Sequence, residues 1–248
     1  MNTAEKQGVV YLVGAGCGAA DLITVRGLRL IQSCEALVYD DLIDEKLLEE
    51  APAHAQRVYM GKRSGQHSAS QQEINEELIR QARLGRRVVR LKGGDPYLFG
   101  RGGEEMLALM AAGIACCEVP GIPSAIGIPA QMGVPVTHRG ASRGLHIITG
   151  HTSDTQDALT DNFAQLAHVG GTLVFLMGLA QLERIAQRLM DEGMPGDTPA
   201  AVLSGGNSPN PADVRAPLCA IAGEARRAQV KAPAVVVVGD VAAMNLNS

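Results

Sequence analysis

Tryptophan is absent from the 248-residue sequence and aromatic residues make up only 3% of it, which removes the stacking platforms that single-stranded nucleic-acid binders present to bases. A basic excess is missing as well. The formal net charge is -4, opposite in sign to the footprint expected of a protein that holds a phosphate backbone. No apolar run approaches the length of a membrane-spanning helix, and no charged-then-apolar leader opens the sequence. The five cysteines are odd in number, and Cys116 and Cys117 are adjacent, a spacing that suits neither a Cys-x-x-Cys metal pair nor a local disulfide. Internal repeats, heptad runs and low-complexity stretches are missing too. The expectation is a cytoplasmic protein with reduced thiols, without metal, nucleic acid or membrane as partner.

What is present is a globular composition, 46% apolar and 19% charged, in a chain long enough for one large or two medium domains. Its centre is VVRLKGGDPYLFGRGGEE, Val88 to Glu105. Val88, Val89 and Leu91 read as a buried strand, broken by Gly93-Gly94-Asp95-Pro96 at its carboxyl end, where open α/β sheets place their ligands. Paired glycines let a backbone approach a bound molecule, Asp95 offers an acceptor, and Pro96 fixes the exit of the turn. The glycine-rich Phe99 to Gly103 then carries Arg101 up to a helix opened by Glu104 and Glu105, aiming the cation at an anion.

Around that stretch, strands and helices alternate. Strands are predicted at Val9 to Val13, Ala36 to Tyr39, Arg57 to Met60 and Ala115 to Val119. Helices are predicted from Thr24, over Asp41 to Glu50, over Gln71 to Leu84 behind a Ser70/Glu73 capping box, over Glu104 to Ala112 and over Ile126 to Met132. This alternation argues a mainly parallel sheet. The small polar stretch Arg139 to Gly144 is the best linker, so an N-terminal α/β domain over 1–139 precedes a C-terminal one over 145–248. The second holds strands at Leu145 to Thr149, Thr172 to Leu176, Ala200 to Leu203 and Ala234 to Val238. Its helices are expected near Asp161 to Ala167 and over Ala180 to Glu192. Gly14, Gly16 and Ala19, with Asp40 after the next strand, fit the dinucleotide fingerprint G-x-G-x-x-A. However, Thr24 is the natural cap of the first helix, so the glycine turn does not open into a helix N-terminus able to hold a pyrophosphate.

Taken together, VGAGCG at Val13 to Gly18, VYDDL at Val38 to Leu42, GKRSGQHSASQQEIN at Gly61 to Asn75, the central stretch, PGIPSA at Pro120 to Ala125, GVPVTHR at Gly133 to Arg139 and the Met177-Gly178 turn resemble the tetrapyrrole methyltransferase family over nearly the whole chain. FGRGGEE resembles the members that act early, on uroporphyrinogen III. The resemblance implies two α/β domains, the second with a mixed sheet, an active site in the cleft between them, and a homodimer. It also implies S-adenosylmethionine as cofactor, with two pyrrole carbons (C2 and C7) methylated through precorrin-1 to precorrin-2. By position, cofactor contacts fall at Cys17, Gly93, Gly94, Asp95, Leu98, Pro123, Ser124, Met177 and Gly206. Asp40 and Lys62 align with a proton acceptor and donor, and Arg101, Glu104 and Arg139 with residues that hold the substrate and help its proton transfers. Longer sirohaem synthases in the family add a dehydrogenase-chelatase half for which this chain has no room. Cys17 replaces a usual proline, Pro123 a usual threonine, and Gly206-Asn207 a usual Gly-Thr.

The chemistry suits these residues. Methyl transfer from a sulfonium is an in-line displacement that rewards positioning and exclusion of water. Arg101, Arg139, Arg143, Lys62 and Arg63 supply cations for an octacarboxylate substrate. A carboxylate, Glu104 or Asp40, can stabilise positive charge on the ring and take the proton that must leave. Lys62 suits a carboxylate anchor better than a proton donor, because an unperturbed lysine is a poor acid near neutrality. Two other enzymes share parts of the pattern, a methyltransferase acting on a later corrinoid and a nicotinamide-dependent oxidoreductase.

Overall fold

A computed structural model describes residues 8–61, 69–150, 162–205 and 211–247. The chain divides into two units, Met1–Pro123 and Ser124–Ser248. In the first, β1 (Val9–Gly14), β2 (Ala36–Tyr39), β3 (Gln56–Tyr59), β4 (Arg87–Lys92) and β5 (Ala115–Val119) form a five-stranded sheet of order β3-β2-β4-β1-β5. Every pairing in it is parallel. Helices α1 (Val25–Ile31), α2 (Lys46–Glu49), α3 (Gln71–Arg83) and α4 (Gly102–Ala111) supply the crossovers. Strand parity sorts the core. Val89 and Leu91 of β4 pack with Ile31 of α1 and Leu47 of α2, whereas Val88 faces the other way, onto Leu78 of α3 and Leu109 of α4.

Local chemistry sets the helix starts. The Thr24 hydroxyl accepts from the Gly27 amide at 3.1 Å and caps α1. A three-residue 3-10 turn, Ala20–Leu22, fills the gap before it, so the glycine turn after β1 meets no α-helix N-terminus and the dinucleotide cradle is not built. Ser70 and Glu73 form the reciprocal capping box of α3. Helix α4 begins at Gly102, not at Glu104, because Arg101 O already accepts from the Glu105 amide at 3.2 Å, while the Gly102 amide, without a partner inside the helix, donates to Pro96 O at 2.9 Å. The helix expected over Asp41 to Glu50 shrinks to α2, since Asp44 accepts from the Lys46 amide at 3.0 Å and holds the preceding residues in a turn.

The second unit has strands β6 (Leu145–Thr149), β7 (Thr172–Leu176), β8 (Pro199–Ser204), β9 (Ala212–Pro217) and β10 (Ala234–Val238) in the order β6-β7-β10-β8-β9. Only β6 and β7 pair in parallel; the other pairings are antiparallel, which makes the sheet mixed. Helices α6 (Phe163–His168), α7 (Leu182–Asp191) and α8 (Leu218–Arg227) cover one face through Phe163, Ile185, Leu189 and Ile221. Helix α5 (Ser124–Gln131) packs on β7, β8 and β10. It was expected in the first domain, and its packing moves the division from the Arg139 to Gly144 stretch to Pro123. Among the described residues no helix is long and apolar enough to cross a membrane.

Candidate functional site

The carboxyl end of the parallel sheet is closed by loops laced to one another through the backbone. After β1 and β4, the Gly94 amide donates to Gly16 O at 2.7 Å, Gly16 N returns to Gly94 O at 3.2 Å, and Ala15 N donates to Lys92 O at 2.7 Å. The loop after β5 joins through Asp95, whose Oδ2 accepts from the Gly121 amide at 3.2 Å. Asp95 Oδ1 accepts from Tyr97 N at 2.9 Å, so the carboxylate spans two loops and orders both. The glycines serve this closure. A Cβ on Gly121 would lie 2.1 Å from Gly94 O, and one on Gly93 would lie 2.6 Å from Leu42 Cβ. Chain packing by itself therefore requires a glycine at Gly93. Cys17 is buried in the first of these loops, and Leu98 and Pro123 are half-buried in the second and third.

Arg101 projects from the same region with a left-handed backbone, φ 59°. Its Nε and Nη2 donate to the two Glu104 oxygens at 2.9 and 2.7 Å, with the two side chains 56% and 53% exposed. This hydrogen bonding holds the Glu104 carboxyl below the usual range, so Glu104 is an anion near neutrality and a weak base. So open an ion pair contributes little to stability and is easily exchanged for another carboxylate.

Asp40, just beyond β2, belongs to a different group. Its Oδ2 accepts from Arg90 Nη2 at 2.9 Å and its Oδ1 from the Leu42 amide at 3.2 Å. Arg90 in turn donates from Nη1 to Leu91 O at 3.1 Å and from Nε to Glu105 Oε1 at 3.4 Å. The same Glu105 oxygen accepts from Lys92 Nζ at 2.8 Å and from Gln71 Nε2 at 3.3 Å. Burial, reinforced by the Arg90 charge, pushes the Lys92 amine down from its ordinary value, against the pull of Glu105. Sequence reasoning passed over Arg90, Lys92 and Glu105. The signal was available: Arg90 and Lys92 share parity with Val88 on the central strand, so both must be buried on one face and need counter-ions there.

In the second unit, Ser124 is the first residue of α5. Arg139 is exposed in the turn closed by the His138–Ser142 bridge. Met177 follows β7 with φ 56° and is 50% exposed; the Gly150 amide supports this turn by donating to Leu176 O at 2.7 Å. Lys62, Arg63, Gly206 and Asn207 lie outside the described residues. Among the first-unit candidates, the structure brings Gly94 and Asp95 to the Gly16 and Gly121 loops and pairs Arg101 with Glu104, while Asp40 joins the buried Arg90 group.

The family profile of the tetrapyrrole (corrin/porphyrin) methylases matches residues 9–222. An S-adenosyl-L-methionine-dependent uroporphyrinogen III methyltransferase of Methanosarcina barkeri is 47% identical over 94% of this chain and 92% of its own length. A siroheme synthase of Edwardsiella ictaluri is 45% identical over 95% of the chain, which spans only 50% of that longer protein. Among solved structures, uroporphyrin-III C-methyl transferase from Thermus thermophilus complexed with S-adenyl homocysteine superposes with a TM-score of 0.80 at 36% identity, covering 95% of this chain and 94% of the other. A cobalt precorrin-4 methyltransferase superposes with a TM-score of 0.83 at 23% identity, covering 94% of this chain and 95% of its own. That likeness speaks for the fold alone.

Proposed function

Because the chain belongs to the tetrapyrrole (corrin/porphyrin) methylase family, we propose that it methylates uroporphyrinogen III at two pyrrole carbons with S-adenosylmethionine, giving precorrin-2. The observation that carries the reading is backbone strain. Of the four non-glycine residues with positive φ among those described, three are Phe99, Arg101 and Met177, in the loops after β4 and β7 where binding is expected. Such conformations cost about 1–3 kcal/mol each and persist where function requires them. The residues fit the cofactor in kind. Met177 presents an exposed thioether and Leu98 a half-buried alkyl surface, and Ser124 keeps a hydroxyl beside Pro123, where the family usually has threonine.

S-adenosylmethionine, when bound, supplies an electrophilic methyl group on a sulfonium. The loops tied by Asp95 give it a platform that needs no rearrangement. Arg101 exchanges Glu104 for a substrate carboxylate, with Arg139 and Lys62 as further anchors. Asp40 takes the proton that leaves after methyl transfer. Glu104, already an anion, keeps Arg101 oriented until the substrate carboxylate replaces it. Association as a homodimer is part of the same proposal.

The test is steady-state methylation of anaerobically generated uroporphyrinogen III by wild type, Arg101→Ala and Glu104→Ala, with S-adenosylhomocysteine binding measured in parallel. Arg101→Ala is expected to raise the substrate KM about tenfold to a hundredfold, the loss of a charged hydrogen bond, and to leave S-adenosylhomocysteine affinity unchanged. Equal loss of both affinities would remove Arg101 from the substrate side.

A further inference from the structure

The charged group behind Asp40 is built like a support. Its members differ sharply in exposure: the Glu105 side chain is 0% exposed, Arg90 3% and Lys92 6%, whereas Asp40 is 25% exposed. Asp40 is thus the one member of the four that meets solvent. The Arg90 fork is engaged at all three nitrogens, with Nε on Glu105, Nη1 on Leu91 O and Nη2 on Asp40. Glu105 holds two cations with one oxygen, while its Oε2 is buried with no hydrogen-bond partner among the described residues. A half-satisfied buried carboxylate is costly, and buried ion clusters are seldom more stable than apolar packing of the same volume. Stability is a poor account of this group.

We propose that Glu105 is a positioning residue for the methyl-transfer reaction, orienting Arg90 and balancing Lys92 so that Arg90 presents a fixed donor to the Asp40 carboxylate. The inference rests on the proposed function, within which Asp40 accepts the proton. Four charges, two of each sign, make the group neutral. Removing the Glu105 charge leaves Arg90 and Lys92 sharing one carboxylate, which draws both toward Asp40 and displaces it. Removing Lys92 as well restores a one-to-one pair between Arg90 and Asp40. Glu105 therefore acts through a charge count, and the count can be rebalanced elsewhere.

The experiment compares wild type, Glu105→Gln, Lys92→Met and the double variant, reading kcat and KM for uroporphyrinogen III methylation at saturating S-adenosylmethionine and the calorimetric Kd of S-adenosylhomocysteine. Glu105→Gln is expected to lower kcat about tenfold to a hundredfold, the effect of a misplaced reacting group, with that Kd unchanged. The double variant is expected to recover most of the kcat. A double variant no better than Glu105→Gln, or losses of kcat and S-adenosylhomocysteine affinity in step, would overturn the inference. If Glu105→Gln does not fold, the double variant decides: near-normal kcat supports the charge count, and a folded but inactive protein refutes it. Wild type that binds S-adenosylhomocysteine but leaves uroporphyrinogen III unmethylated would refute the proposed function and this inference together. An active wild type with an equally active Glu105→Gln would refute this inference alone.

Discussion

Met177 shows how single side chains divide the work. It is a large apolar residue, 50% exposed, in a left-handed backbone conformation that an unbranched side chain tolerates only at a cost. Met177→Gly is expected to keep the thermal stability or raise it by up to about 1 kcal/mol, since relief of strain offsets the added chain entropy of glycine. Calorimetry should show weaker S-adenosylhomocysteine binding in the same variant; a stabilised protein with unchanged affinity would take Met177 out of the cofactor site. The Gly93-Gly94-Asp95 turn after β4, Asp40 just beyond β2 and Arg101 just before α4 stand in the fold where the sequence places them. The roles of Glu104 and Glu105 were harder to read, because adjacent glutamates differ only in helix phase. With α4 starting at Gly102, Glu105 falls one turn before the buried Leu109 and turns inward, while Glu104 faces out to Arg101. The Glu105 and Leu109 spacing carried that phase, but the assumption that the glutamates open the helix hid it.

Among the elements, α3 owes its start to the Ser70/Glu73 box. The Ser70 amide and hydroxyl, in that order, hold the Glu73 carboxyl below its ordinary value of 4.5. A depressed carboxyl contributes stability that is present above the unfolded value and is lost as pH falls through the folded one. Ser70→Ala should therefore lower the urea midpoint at pH 7, and its deficit against wild type should narrow as the pH drops below that of an unperturbed glutamate. A deficit that stays constant with pH would mean that the Ser70 hydroxyl does not reach the Glu73 carboxylate. Strands β2, β7 and β10 lie where the apolar runs place them, because an interior strand buried on both faces writes a continuous apolar run, and the edge strands β5 and β6 also keep their predicted bounds. Strand β9 and helix α8 escaped notice. In β9, Ala212–Pro217, proline ends the strand and charge interrupts it, as suits an edge position. In α8 the buried stripe of Leu218, Ile221 and Ala225 is thinned by alanine and glycine.

Along the chain, a parallel sheet whose carboxyl-end loops carry the glycine turn and Asp40 is followed by a mixed sheet whose β7 exit carries Met177. The alternation of strands and helices was enough to predict the first sheet. The second could not be ordered from alternation, since β10, last in the chain, inserts between β7 and β8 by long-range pairing. The division also follows packing: the polar stretch at 139–144 looks like a linker, yet α5 before it is bound to the second sheet. On the proposed function, this chain methylates an octacarboxylate porphyrinogen twice. Mass analysis over time of uroporphyrinogen III incubated anaerobically with the purified chain and S-adenosylmethionine decides whether it does. One added methyl followed by a second, and then no more, is the predicted course. An unmodified uroporphyrinogen III, beside methylation of a corrinoid offered in its place, would contradict it.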